Sequence, residues 1–174
     1  MEITGSGFTL PPKKCIAMKY FASLLLILLV SLSCDKDGDS DVLTKDGTFQ
    51  ISELAGNWEA TKAQFSVGGT SVDVVQAGGT ARMTVQTSGR FTLTLDPVDR
   101  AAYSVSGEMW WEPWEGSYYF AIVWEDEPDD WDTYGDTYDG DTFSINGGTG
   151  TGEYDFDNDG DMEPCSVHFI FDRS

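Results

Sequence analysis

The carboxylates near the C-terminus come closest to specifying a chemistry by their spacing. Asp155, Asp157, Asp159 and Asp161 alternate through Asp155-Phe156-Asp157-Asn158-Asp159-Gly160-Asp161-Met162-Glu163. Carboxylates at alternate positions can converge on a hard cation, and Gly160 permits the bend between them. Calcium is therefore the candidate cofactor, with Asp155, Asp157, Asp159, Asp161 and Glu163 as candidate ligands. The position where a bidentate Glu would complete a helix-flanked calcium loop holds Ser166, so a solvated connection between strands is the competing reading. Asp136-Thr137-Tyr138-Asp139-Gly140-Asp141 repeats the pattern less well and reads first as a turn into a strand at Thr142.

Catalytic chemistry finds little else. The single histidine, His168, falls within a strand pattern beside Ser166 and Ile170. The domain holds only Cys165 and His168, fewer than the three or more His or Cys ligands a zinc site would need. No nucleophile elbow or phosphate-binding loop occurs, and paired carboxylates are too plentiful in this chain to be diagnostic. The expectation is a protein that is not an enzyme. Of the three cysteines, Cys165 lies alone inside the domain and reads as a small buried apolar residue.

Aromatic residues offer a second kind of chemistry. Trp110-Trp111-Glu112-Pro113-Trp114 turns through Glu115-Gly116 into Ser117-Tyr118-Tyr119-Phe120-Ala121-Ile122-Val123-Trp124, a run apolar on both faces. Such a strand needs a covering loop or a partner. Binding pockets favour aromatic walls with few polar groups, so Trp111, Trp114, Trp124 and Trp131 are the candidate ligand-binding residues. Stacked indoles beside carboxylates could equally hold a sugar.

Charge limits the partners. The formal net charge is -20; removing residues 1–33 takes away Lys13, Lys14, Lys19 and Glu2 and leaves -22. A surface of that sign repels nucleic-acid phosphates, and nucleic acid is excluded as a partner. Acidity with few aromatics would predict disorder, but 13% of the residues are aromatic and six are Trp, which argues for a packed domain.

The N-terminus reads as a targeting segment. Met18-Lys19-Tyr20 begins a positive start, and Phe21–Leu32 is uncharged and apolar, the length of a signal core and too short for a spanning helix. The run closes at Val30-Ser31-Leu32-Ser33-Cys34, which resembles the lipobox of bacterial lipoproteins, with Ser31 standing where Leu is usual. That resemblance implies acylation at Cys34 and anchoring to a lipid membrane, in the bacterial envelope as an outer-membrane lipoprotein, periplasmic or surface-exposed. Residues 1–33 are thus the export signal, with Met18 as an alternative start. Residues 34–47, polar and rich in Asp, read as a disordered tether.

Residues 48–174 must then form the domain that positions these groups. Period-two patterning predicts strands over Trp58–Val67, Val72–Gln76, Ala102–Trp111, Tyr118–Glu125, Thr142–Asn146, Gly150–Asp155 and Ser166–Phe171. A hairpin joins Ala81, Met83 and Val85 to Phe91, Leu93 and Leu95 through Ser88-Gly89. One helical turn is expected at Ile51–Ala55, opened by Ser52. The fold class is all-β, an antiparallel meander closed into a barrel of about eight strands, with a two-sheet sandwich as the alternative.

The opening Phe49-Gln50-Ile51-Ser52-Glu53-Leu54-Ala55-Gly56-Asn57-Trp58-Glu59 resembles that of lipocalin-like domains, where a helical turn leads into Gly-x-Trp. The resemblance assigns Gly56, Trp58 and the late Arg173 to barrel closure, the Arg packing over the indole, and makes the barrel lipocalin-like. It implies a non-catalytic lipoprotein holding a small apolar or amphipathic ligand inside the barrel. The alternative is a calcium-stabilised module that recognises glycan or protein through surface aromatics.

Overall fold

The computed structural model describes residues 47–174, so the expected export signal, Cys34 and nearly all of the expected tether lie outside the described residues. Nine strands follow a 3-10 turn at Ile51–Leu54: β1 Gly56–Val67, β2 Thr70–Asp73, β3 Thr80–Val85, β4 Arg90–Asp96, β5 Tyr103–Trp114, β6 Ser117–Trp124, β7 Trp131–Tyr138, β8 Thr142–Tyr154 and β9 Glu163–Arg173. Every pairing is antiparallel. The order runs β1-β3-β4-β5-β6-β7-β8-β9 and returns to β1, closing an eight-stranded barrel with β2 as an extra strand along the far half of β1.

Alternation explains the wall. Phe91, Leu93 and Leu95 are buried while Thr92 and Thr94 face out, where their hydroxyls meet those of Ser106 and Ser104 at 3.1 and 2.8 Å. Gly89 turns the β3–β4 hairpin with φ 90°, a conformation that disfavours a Cβ. It also brings its carbonyl to the Met109 amide at 3.1 Å, stitching the turn to β5.

Four elements differ from the sequence reading. Strand β2 ends at Asp73 because the Asp73 carboxylate accepts the amides of Ala63, Val75 and Gln76, which bends residues 74–78 into a turn. The two strands expected at Thr142–Asn146 and Gly150–Asp155 are one, β8, whose register against β9 shifts between Gly147 and Gly152. Strand β7 lies where the sequence predicts no strand, its second half overlapping the turn predicted from Asp136; of its eight residues only Tyr134 is buried, so period two leaves almost no apolar signal. Ser52 does not open the 3-10 turn: Gln50 is its N-cap, without a side-chain hydrogen bond.

The core is largely aromatic. Ring contacts run without a break from Trp111 through Phe49, Phe120, Phe143, Phe171, Phe169 and Phe65 to Tyr154, each pair of centroids within 6.5 Å. Offset and edge-on ring pairs add to the stabilisation that burial alone gives. Ala81, Met83, Val85, Met109 and Ile122 fill the space against Phe91 and its neighbours.

Candidate functional site

At the end where the chain enters, the 3-10 turn caps the barrel. Ile51 and Leu54 are fully buried beneath it, and the Trp58 indole donates to the Leu54 carbonyl at 2.8 Å. The Arg173 guanidinium lies 4.2 Å from the Trp58 ring. It donates to the carbonyls of Ala55 (3.0 Å), Glu53 (2.9 Å) and Gly140 (3.1 Å). Gly56 takes φ 141°, which disfavours a Cβ, and a Cβ there would come within 2.9 Å of the Arg173 guanidinium. Gly56, Trp58 and Arg173 thus meet at one end and close it.

The four tryptophans singled out for ligand binding occupy different environments. Trp111 is 3% exposed and donates to the Phe49 carbonyl at 2.8 Å, so it belongs to the core of the capped end. Trp124 is half-buried, edge-on to Phe91 at 5.5 Å, with its indole N–H 3.3 Å from the Thr151 carbonyl. Trp114 and Trp131 are 62% and 44% exposed. These two do not share a pocket with Trp111.

The exposed rings gather elsewhere, on the outer surface of β5, β6 and β7. Trp110 and Trp131 meet edge-on at 5.8 Å across β6, Trp110 in register with Ala121 and Trp131 with Val123, and Ala121 is buried although its register places it on the outer face. Trp110 donates to Glu112 at 2.8 Å, and Tyr119, 46% exposed, pairs in register with Glu112. Trp114 sits at the tip of the β5–β6 hairpin beyond them. The sequence carried a signal for this surface: Trp110 alternates with Trp111, so one must face out when the other is core.

Beside this surface the wall is incomplete. Strand β7 pairs with β6 through Trp131–Tyr134, but its pairing with β8 begins only at Gly135. Residues 131–134 therefore pair with a strand on one side only. Across the gap, β8 offers exposed Gly148, Thr149 and Gly150, and a Cβ on either glycine would meet open space. Two side chains span the interval from within: the Tyr134 hydroxyl donates to the Thr151 carbonyl at 2.5 Å, alongside Trp124. Burial pushes the Tyr134 phenol up to about 12, so it remains a donor.

In the acidic loop, one carboxylate oxygen each from Asp155, Asp157 and Asp159 falls within 4.8 Å of the others. Asp161 and Glu163 do not join that cluster, and the Glu163 carboxylate accepts the Phe156 amide at 2.9 Å. Asp155 is already engaged by the amides of Asp159 and Gly160 at 3.2 and 3.1 Å, and by Arg100 at 3.4 Å. Arg100 escaped sequence reading altogether, since no local pattern ties it to a loop 55 residues away. Its guanidinium also lies over the Tyr154 ring at 5.0 Å. Desolvation and the charge of Asp159 raise the Asp157 carboxyl above its ordinary value.

Two further groups are placed away from any reactive setting. Cys165 is fully buried, and burial pushes its thiol up to about 11, which leaves it protonated and inert. His168 pairs in register with Gln64 and Asn146 on the outer wall. No protein-family model matches this chain, and neither the curated proteins nor the solved structures compared with it gave a match.

Proposed function

We propose that this protein is a non-catalytic binding lipoprotein of the bacterial envelope, tethered through Cys34, that recognises its target on the outer surface of its barrel. One observation carries the reading. The barrel's own rings occupy its interior from the capped end to Tyr154, while Trp114, Tyr119 and Trp131 are exposed outside, Trp131 against the half-buried Trp110. A carrier of small apolar ligands needs an apolar cavity of a few hundred Å³. The fold is compatible with such a carrier, but the aromatic packing favours external recognition.

Calcium has a specific observation in its favour, the convergence of Asp155, Asp157 and Asp159. Against it stands Arg100, a cation already supplied to Asp155. In the calcium-stabilised form of this reading, the ion would brace the β8–β9 loop rather than contact the target.

Native mass spectrometry of the protein gently purified from envelope membranes tests the reading. The expected spectrum shows the polypeptide with its lipid modification at Cys34 and no second organic mass. A cargo molecule released on unfolding would overturn external recognition in favour of the internal carrier. A calcium adduct removed by chelator would establish the braced form.

A further inference from the structure

Where β7 runs ahead of its ladder with β8, the barrel wall carries an open sheet edge. Closed barrels exist in part because unpaired backbone edges recruit other strands. Here the edge at Trp131–Tyr134 is left without a strand on its β8 side. Its residues Trp131, Asp132 and Thr133 are exposed, and so is the facing Gly148–Gly150 segment. Gly148 and Gly150 present no side chain that would obstruct an incoming backbone.

Charge around the edge has one sign. The loop leading into β7 contains Glu125, Asp126, Glu127, Asp129 and Asp130, all exposed, and Asp132 and Asp136 lie on β7 itself. No Lys or Arg occurs anywhere between Arg100 and Arg173. Arg90 reaches Glu108 on β5, and Arg100 and Arg173 are committed to the acidic loop and the cap. Crowding leaves a mark on the edge: burial and the charge of Asp130 raise the Asp132 carboxyl, and burial raises Asp136. Trp131 adds an exposed indole face, which attracts cations by its quadrupole.

The geometry points to an occupant of defined chemistry: a basic, extended polypeptide segment of a partner protein, added as a strand to the β7 edge at Trp131–Tyr134. Backbone hydrogen bonds supply affinity in this mode, and side-chain pockets and charges supply selectivity. The carboxylates of residues 125–132 receive the partner's Lys or Arg side chains, and Trp131 packs on one of them. This inference rests on the external-recognition reading and names its partner class.

The test uses the full chain in detergent and a short peptide of alternating lysine and valine as probe. Three comparisons accompany it: the glutamate counterpart, the lysine peptide N-methylated along one edge, and the chain carrying Trp131→Ala. The lysine peptide is expected to bind with salt-sensitive affinity and to slow amide exchange at Trp131–Tyr134 by about tenfold or more. The glutamate peptide should not bind, and N-methylation should weaken binding about tenfold or more. Trp131→Ala should weaken it about two- to fivefold.

Undiminished binding of the N-methylated peptide would reduce the interaction to diffuse charge attraction and overturn the proposal. So would protection confined to other strands, or no binding of the lysine peptide at all. A glycan that binds in a Trp131-dependent manner while the peptide does not would also overturn it, yet leave external recognition standing. Failure of external recognition itself is read separately, from an organic cargo in the barrel.

Discussion

Arg173 makes contacts to every part of the capped end, and its energetics follow from that position. It stacks on Trp58 and donates to three carbonyls that the 3-10 turn and the β7–β8 turn would otherwise leave to water. The side chain is solvent-accessible, so each interaction is discounted from its buried worth. Arg173→Ala is expected to lower unfolding free energy by about 1–3 kcal/mol. Arg173→Lys should recover only part of it, because an ammonium cannot fork between carbonyls. Urea denaturation of both variants measures the difference; equal loss in both would assign the effect to the planar fork rather than to charge.

Among the strands, β5 and β6 show how a single atom can be forbidden. A Cβ on Gly107 would meet the Val123 carbonyl oxygen and stand 2.9 Å from the Phe91 ring. Backbone cannot step aside cheaply, so Gly107→Ala should cost about 1–3 kcal/mol, visible as a lowered thermal midpoint. A neutral result would mean that β5 and β6 can slide apart locally. The same scale explains what could be read from the sequence. The β3–β4 hairpin was legible because Met83, Val85, Phe91 and Leu93 alternate cleanly with polar neighbours and a glycine sits at the turn. Strand β7 was not, because Asp132 and Asp136 interrupt its inward face and its partners change from β6 to β8 midway along it. The capped end was legible from Gly56, Trp58 and Arg173. The outer aromatic surface was only half so: Trp114 and Trp131 stood out, but nothing local separated exposed Trp131 from buried Trp111. The Arg100 contact to Asp155 is non-local and has no sequence signature.

For the molecule as a whole, charge dominates the response to solvent. Asp132 and Asp136 have carboxyls raised by burial, so each binds protons more readily folded than unfolded. Stability from these groups therefore rises as pH falls through their folded values and is fully gained below the ordinary carboxylate value. Asp99 and Asp139 act in the opposite sense. Arg100 holds the Asp99 carboxyl low, and the amides of Thr142 and Asp141 hold Asp139 low, so their contribution is lost as pH falls below the ordinary carboxylate range. The thermal midpoint should climb from neutral pH to a maximum just above that range and then fall, and added salt should raise it at neutral pH. A midpoint that is flat or falls monotonically on acidification would show that self-repulsion is not what limits the fold.

Closure of the barrel by β1 and β9 has a consequence for the order of events during synthesis. Trp58 pairs in register with Arg173, and Ser66 with Ser166. The seam that completes the wall thus joins segments separated by nearly the whole domain, and loop-closure entropy makes such a seam late and slow to form. A chain threaded N-terminus first through a narrow pore cannot close this seam until its final strand has emerged. Closure is therefore the last step open to such a chain, whichever hairpins have formed before it.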